Sequence, residues 1–169
     1  MPRPLADASP LVAVAALAAV WLFIGIASGL GARALTAAFL ARDTWLSRPR
    51  AFEDGGRFYQ RRLRIRAWKD LLPEAGRTLG GDHSKAQLGS PDTASLERFV
   101  AETRRAEYVH WVHVGAGPWF FLVLPPWGGL VMTAFGALVH LPFVCIQRYN
   151  RPRFQRVIER RSRRGKADS

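Results

Sequence analysis

Glu107 and His110 stand three residues apart in the run Glu102-Thr103-Arg104-Arg105-Ala106-Glu107-Tyr108-Val109-His110-Trp111. In a helix that spacing puts both side chains on one face. There a carboxylate can hold an imidazole in one tautomer and raise its basicity, as the orienting acid does in hydrolytic triads. The pair sits where the chain stops being charged and turns apolar, and an ionisable group entering a membrane is costly unless partnered or used. The chemistry expected is proton abstraction from a hydroxyl, with His110 as general base and Glu107 as its orienter. The plainer alternative is an internal hydrogen bond that fixes helix packing. His113 is turned about 60° from His110 around the same helix. His140 stands alone in a later apolar stretch, and both of these read as structural.

A second array is Gln147-Arg148-Tyr149-Asn150-Arg151-Pro152-Arg153, with three arginines, two amides and a phenol in seven residues. The forked guanidinium matches phosphate and carboxylate geometry, so this array reads as an anion clamp. A plain stop-transfer patch would explain the arginines but not the Gln, Tyr and Asn. Cys145 is the single cysteine, it lies in an apolar run, and it reads as a small packed residue. No G-x-S-x-G elbow or Walker sequence is present. No Cys/His set has metal spacing, so no bound metal or cofactor is expected.

Both arrays must be held by apolar elements. Between residues 11 and 41 the only charged side chain is Arg33, and none occurs from 108 to 146. About 20 helical residues cross a hydrocarbon core. The first block therefore supplies a span at about 11–31, with Arg33 snorkelling at its end and Gly25 and Gly29 in a G-x-x-x-G pair. The second block supplies two, 108–124 and 127–146, separated at Pro125-Pro126 and bracketed by Trp119 and Trp127. Residues 52–72 mix Arg57, Arg61, Arg62, Arg64, Arg66 and Lys69 with aromatic and aliphatic residues, and read as an amphipathic interfacial helix. The strict alternation from 62 to 67 is a competing strand signal. Residues 78–92, rich in Gly, Ser and Asp, read as a loop.

The formal net charge is +12, from 25 Lys+Arg against 13 Asp+Glu. Nucleic acid and anionic lipid both fit that sign, and the apolar blocks favour anionic lipid. Region 42–107 holds 14 Lys+Arg and the tail 148–169 holds nine, against one before the first block and none at Pro125-Pro126. The positive-inside rule then puts the N-terminus outside and both basic regions in the cytoplasm. A cleaved signal peptide is the alternative for the first block, although that block far exceeds a signal core of roughly 7–15 residues. The expectation is a single all-α domain over residues 1–169 of the cell membrane. It has three transmembrane helices, an interfacial segment in a cytoplasmic loop, and a basic cytoplasmic tail. In an antiparallel hairpin of the last two spans, the two arrays meet at the cytoplasmic face.

The runs Glu102-Thr-Arg-Arg-Ala-Glu-Tyr-Val-His-Trp111 and Pro142-Phe-Val-Cys-Ile-Gln-Arg-Tyr-Asn-Arg-Pro-Arg153 resemble the glycosyl-4,4'-diaponeurosporenoate acyltransferase family. Gly56-Arg-Phe-Tyr and Arg66-Ala-Trp-Lys69 extend the resemblance, which covers about residues 52 to 153. It implies a membrane O-acyltransferase that esterifies a sugar hydroxyl of a glycosylated carotenoid or related glycolipid with a fatty acyl chain, with acyl-CoA as donor. Carried over residue by residue, it covers Glu102, Arg105, Glu107, His110, Trp111, Arg148, Tyr149, Asn150, Arg151, Arg153, Trp68 and Lys69, without assigning roles to them. Read from their chemistry, Glu102, Glu107 and His110 are the candidate catalytic groups and the others the candidate substrate contacts. The His-x-x-x-x-Asp pair of glycerolipid acyltransferases is absent, so a different catalytic geometry is implied. A non-enzymatic membrane scaffold that binds anionic lipid through loop and tail is the rival reading.

Overall fold

The structure is a computed structural model, and residues 9–72 and 92–167 are described. The loop expected at 78–92 therefore lies outside the described residues except at Asp92. Every regular element among the described residues is helical, and no strand occurs. The chain divides into two compact units, one of Met1–Arg48 with Arg104–Gln147 and the other of Pro49–Thr103 with Arg148–Ser169.

Helix α1 (Pro10–Arg33) starts where Ser9 accepts the Val12 N–H and Pro10 fills the first turn, where a missing N–H costs nothing. Its Ala-rich sequence favours helix. The short α2 (Ala37–Leu40) is capped by Thr36, whose hydroxyl accepts the Phe39 N–H. Helix α3 (Arg57–Leu63) is flanked by 3-10 turns at Ala51–Gly56, Ile65–Ala67 and Lys69–Leu71. The segment is thus helical in pieces, not the one helix expected over 52–72, because left-handed residues at 54–56 and Arg64 break it. The alternation at 62–67 makes no strand because Arg64 takes a left-handed conformation, φ 48°, ending α3 and opening the next turn.

Helix α4 (Thr93–Ala116) continues as a 3-10 turn over Gly117–Leu122, and α5 (Pro126–Ala167) begins at the expected Pro-Pro break. Two helices, α1 and α5, are long and apolar enough to cross a membrane. Three were expected; the helix leading into 108–124 does begin well before it, as its charged approach implies, but it does not continue as a span. The α-helical part of 108–124 is the end of α4, whose first 15 residues carry Glu97, Arg98, Glu102, Arg104, Arg105 and Glu107. Only about 14 Å of α-helix remains after residue 107, about half a hydrocarbon core. Gly115, Gly117 and Pro118 then disfavour regular helix, and the chain tightens to 3-10 geometry.

Tight backbone approaches hold the first unit together. A Cβ on Gly117 would lie 2.8 Å from the Thr133 Cα, and one on Gly136 would lie 3.0 Å from the Trp21 ring. Leu11, Val14, Leu22, Phe23, Ile26 and Leu30 of α1 are exposed, as are Leu130, Val131 and Leu138 of α5. A water-soluble chain rarely leaves contiguous apolar faces of this size uncovered. In the second unit Tyr59, Ile65, Leu96, Val100 and Tyr149 form the buried core, and Phe99 stacks on Phe154.

Candidate functional site

In the first unit three imidazoles come together. His110 and His140 face one another with Nδ1 to Nδ1 at 3.0 Å, and the His113 and His140 rings stack at 4.1 Å between centroids. Phe143 lies flat on His110 at 4.6 Å. Trp21 brings α1 to the cluster, stacked near His113 and Phe120 and edge-on to Phe135. His113 Nδ1 is 2.8 Å from the Val109 carbonyl. A carbonyl only accepts, so that nitrogen is the donor. Between His110 and His140 one Nδ1 must donate and the other accept.

His110 therefore has a hydrogen-bond partner, but it is His140 and not the expected Glu107. Glu107 is fully buried and accepts the indole N–H of Trp111 at 3.2 Å. His140, read from sequence as isolated, lies 30 residues from His110 and meets it only because α5 returns along α4. No local spacing could signal that contact. The same holds for His113, whose lone offset from His110 suggested no shared site.

The neighbouring arginines of α4 bind the chain that follows α1. Buried Arg104 donates from Nε and Nη2 to Asp43 at 3.1 and 2.6 Å and from Nη1 to the Leu40 carbonyl at 2.8 Å. Arg105 donates to the Ala32 carbonyl at 3.1 Å, in the last turn of α1, where carbonyls lack helical donors. Arg105 thus holds a helix end. Glu102 belongs to the second unit and is exposed.

The second unit separates the three arginines of the 147–153 run. Arg148 and Arg151 are 8% and 2% exposed, whereas Arg153 is exposed. Arg148 forms a buried ion pair with Glu53, which also accepts from Tyr59 Oη at 2.9 Å and from the Arg50 N–H at 3.2 Å. Arg151 donates from Nε to the Thr103 hydroxyl at 3.1 Å. Glu53 was not singled out from sequence, and its partner Arg148 lies 95 residues away. Pro152 has no N–H, so the Arg148 carbonyl loses its helical donor. Beside it the backbone of Gly56 packs so close to α5 that a Cβ there would stand 3.0 Å from the Tyr149 carbonyl oxygen.

Tyr149, Asn150 and Arg153 instead line a cavity of about 330 Å³ together with Arg66, Lys69 and Asp70. Arg153 donates to the Tyr149 hydroxyl at 2.6 Å and lies 5.0 Å from that ring's centroid. Lys69 pairs with Asp70. Trp68 is half-buried, its indole N–H donating to the Leu63 carbonyl at 2.8 Å. Cys145 is half-buried in α5. Among the described residues no group of three or more His, Cys, Asp or Glu could hold a metal ion.

A family model described as glycosyl-4,4'-diaponeurosporenoate acyltransferase matches residues 42–160. The protein of that name from Staphylococcus haemolyticus (strain JCSC1435) is 28% identical over 147 residues, covering 86% of this chain and 85% of its own. Its counterpart from Staphylococcus aureus (strain USA300) is 26% identical over 114 residues, 68% of each chain. No solved structure matches. The matched region contains every candidate residue named above and begins after α1.

Proposed function

Since the chain belongs to the glycosyl-4,4'-diaponeurosporenoate acyltransferase family, we propose that it is a membrane O-acyltransferase acting on a sugar hydroxyl of a glycosylated carotenoid or related glycolipid, with a fatty acyl thioester as donor. The observation that carries the reading to residues is the His110–His140 pair in an otherwise apolar setting. In the productive tautomer the His110 Nδ1–H donates to His140 Nδ1, which leaves the His110 Nε2 lone pair free. His110 Nε2 takes the proton of the sugar hydroxyl as the oxygen attacks the thioester carbonyl carbon. The C–O bond forms, the C–S bond breaks, and the departing thiolate recovers the proton from the imidazolium. His140 keeps accepting from Nδ1 throughout, as an orienting group does in a triad. Glu107 supports the site through Trp111.

Arg153 is the arginine of the 147–153 run best placed to meet a donor's phosphates, because Arg148 and Arg151 are occupied within the fold. The exposed apolar faces of α1 and α5 suit a chain that works inside the bilayer, with its basic regions against anionic lipid. The test is lipid and pigment mass spectrometry of cells with and without the gene, joined to an assay of purified protein with a glycolipid acceptor and acyl-CoA. An acylated glycolipid should vanish on deletion and be formed by the purified protein. A lipid profile that does not change, with no product in vitro, would leave the scaffold reading in its place.

A further inference from the structure

We propose that the cavity between α3's following turns and the middle of α5 is a binding site for a phosphorylated group. It belongs wholly to the second unit. Its lining carries three cations, Arg66, Lys69 and Arg153, against one carboxylate, Asp70. The wall is otherwise the Tyr149 hydroxyl and the Asn150 amide, so an acyl chain would find little to pack against. A volume of about 330 Å³ is small for a ligand pocket, and suits a phosphate or diphosphate group with its immediate surroundings.

The donors are oriented rather than merely present. Arg153 is fixed by its bond to the Tyr149 hydroxyl and by the face of that buried ring. That contact uses Nη1 and leaves Nε and Nη2, two parallel donors of the fork that phosphate oxygens accept. Asn150 is half-buried and makes no side-chain hydrogen bond among the described residues. The Arg66 guanidinium likewise has no partner there, while its backbone N–H is tied down by the Gln60 side chain at 3.2 Å. The left-handed residue Arg64 sets the turn that delivers Arg66 and Lys69 to the same cavity. Lys69 is held beside Asp70, which moderates the charge when the cavity is empty.

Phosphate chemistry has two sources here: the phosphorylated end of an acyl donor, which rests on the function proposed above, and the headgroup of an anionic phospholipid. Full-length protein in maltoside micelles should be titrated calorimetrically with coenzyme A and with inorganic pyrophosphate. Flotation with phosphatidylcholine vesicles, with and without phosphatidylglycerol, tests the lipid arm. A charge-assisted hydrogen bond removed is a loss of about tenfold or more in affinity. The double variant Arg66→Gln/Arg153→Gln should therefore raise the dissociation constant of the true ligand at least that much. Arg160→Gln in the tail should change coenzyme A and pyrophosphate binding little. Asp70→Asn should tighten binding, an effect opposite to that of any merely structural lesion. Loss in the coenzyme A arm names the donor, and loss only in the phosphatidylglycerol arm names the headgroup. Either supports the site. Unchanged binding in all arms for the double variant, or weaker binding for Asp70→Asn, overturns it. If coenzyme A binds through these residues but no glycolipid is acylated, the site stands and the enzymatic reading falls. If acylation proceeds with an unaltered KM for acyl-CoA in the double variant and no arm responds, the reverse is true.

Discussion

A single imidazole separates an enzyme from a scaffold in this molecule. His110→Gln keeps size and hydrogen bonding at position 110 but removes the base. General-base catalysis contributes roughly 10²–10⁴-fold, so turnover in the acyl-CoA assay should fall by that order while the thermal midpoint stays near that of the parent. His140→Gln should lower turnover less, since it withdraws only the Nδ1 acceptor that holds the productive tautomer. Near-normal turnover of His110→Gln would return the pair to a packing role. The buried Glu53–Arg148 pair behaves oppositely. Its side chains are 3% and 9% exposed, and removing one partner of a buried pair costs about 3–5 kcal/mol by leaving the other uncompensated. Glu53→Ala should thus lower the thermal midpoint sharply, with Tyr59 and the Arg50 N–H losing an acceptor as well. The sequence disclosed His110, because a histidine at a charge-to-apolar boundary is conspicuous by itself. It could not disclose His140 or Glu53 as partners, because those contacts close across 30 and 95 residues and leave no periodicity in either segment.

Apolar runs and proline breaks were legible because lipid and helix geometry act on consecutive residues. The start of α5 at Pro126 and the extent of α1 follow directly from them. The segment 108–124 was misread as one helix, since absence of charge says nothing about whether Gly115, Gly117 and Pro118 let the backbone stay α-helical. Turn chemistry is equally local but subtler. Asp54, Gly55 and Gly56 all take positive φ, and Arg57 with Arg61 holds the Asp54 carboxyl below its ordinary range. Gly56 is the critical member, with φ 90° and no room for a Cβ, which would stand 3.0 Å from the Tyr149 carbonyl oxygen. Left-handed backbone costs a side chain about 1–2 kcal/mol, and the close approach adds a steric penalty. Gly56→Ala should therefore destabilise the protein by about that much or more, read as a lower thermal midpoint in micelles. Gly29→Ala, whose added methyl meets nothing within 4 Å, should leave it unchanged or raise it. Equal effects at the two glycines would show that the close packing at Gly56 contributes nothing.

Charge distribution constrains how the whole chain meets a membrane more tightly than any single helix does. Region 42–107 and the tail 148–169 are both strongly basic, and the positive-inside rule puts such regions on one side. The chain between them must then cross an even number of times. Helix α5 can cross once, its first 20 or so residues being enough for about 30 Å. An even count would need a second crossing within residues 108–122, nine in α-helix and six in a 3-10 turn. At about 1.5 and 2.0 Å per residue these reach about 26 Å, and Trp127 would then stand at the outer interface. In a Cys145→Ala background, Arg62→Cys and Arg160→Cys should both be protected from an impermeant maleimide in intact cells, and Trp127→Cys should react. Protection at 62 with labelling at 160 would mean a single crossing after the loop. The mixed segment would then lie on the surface, and the basic tail would stand on the opposite face from the loop it resembles in charge.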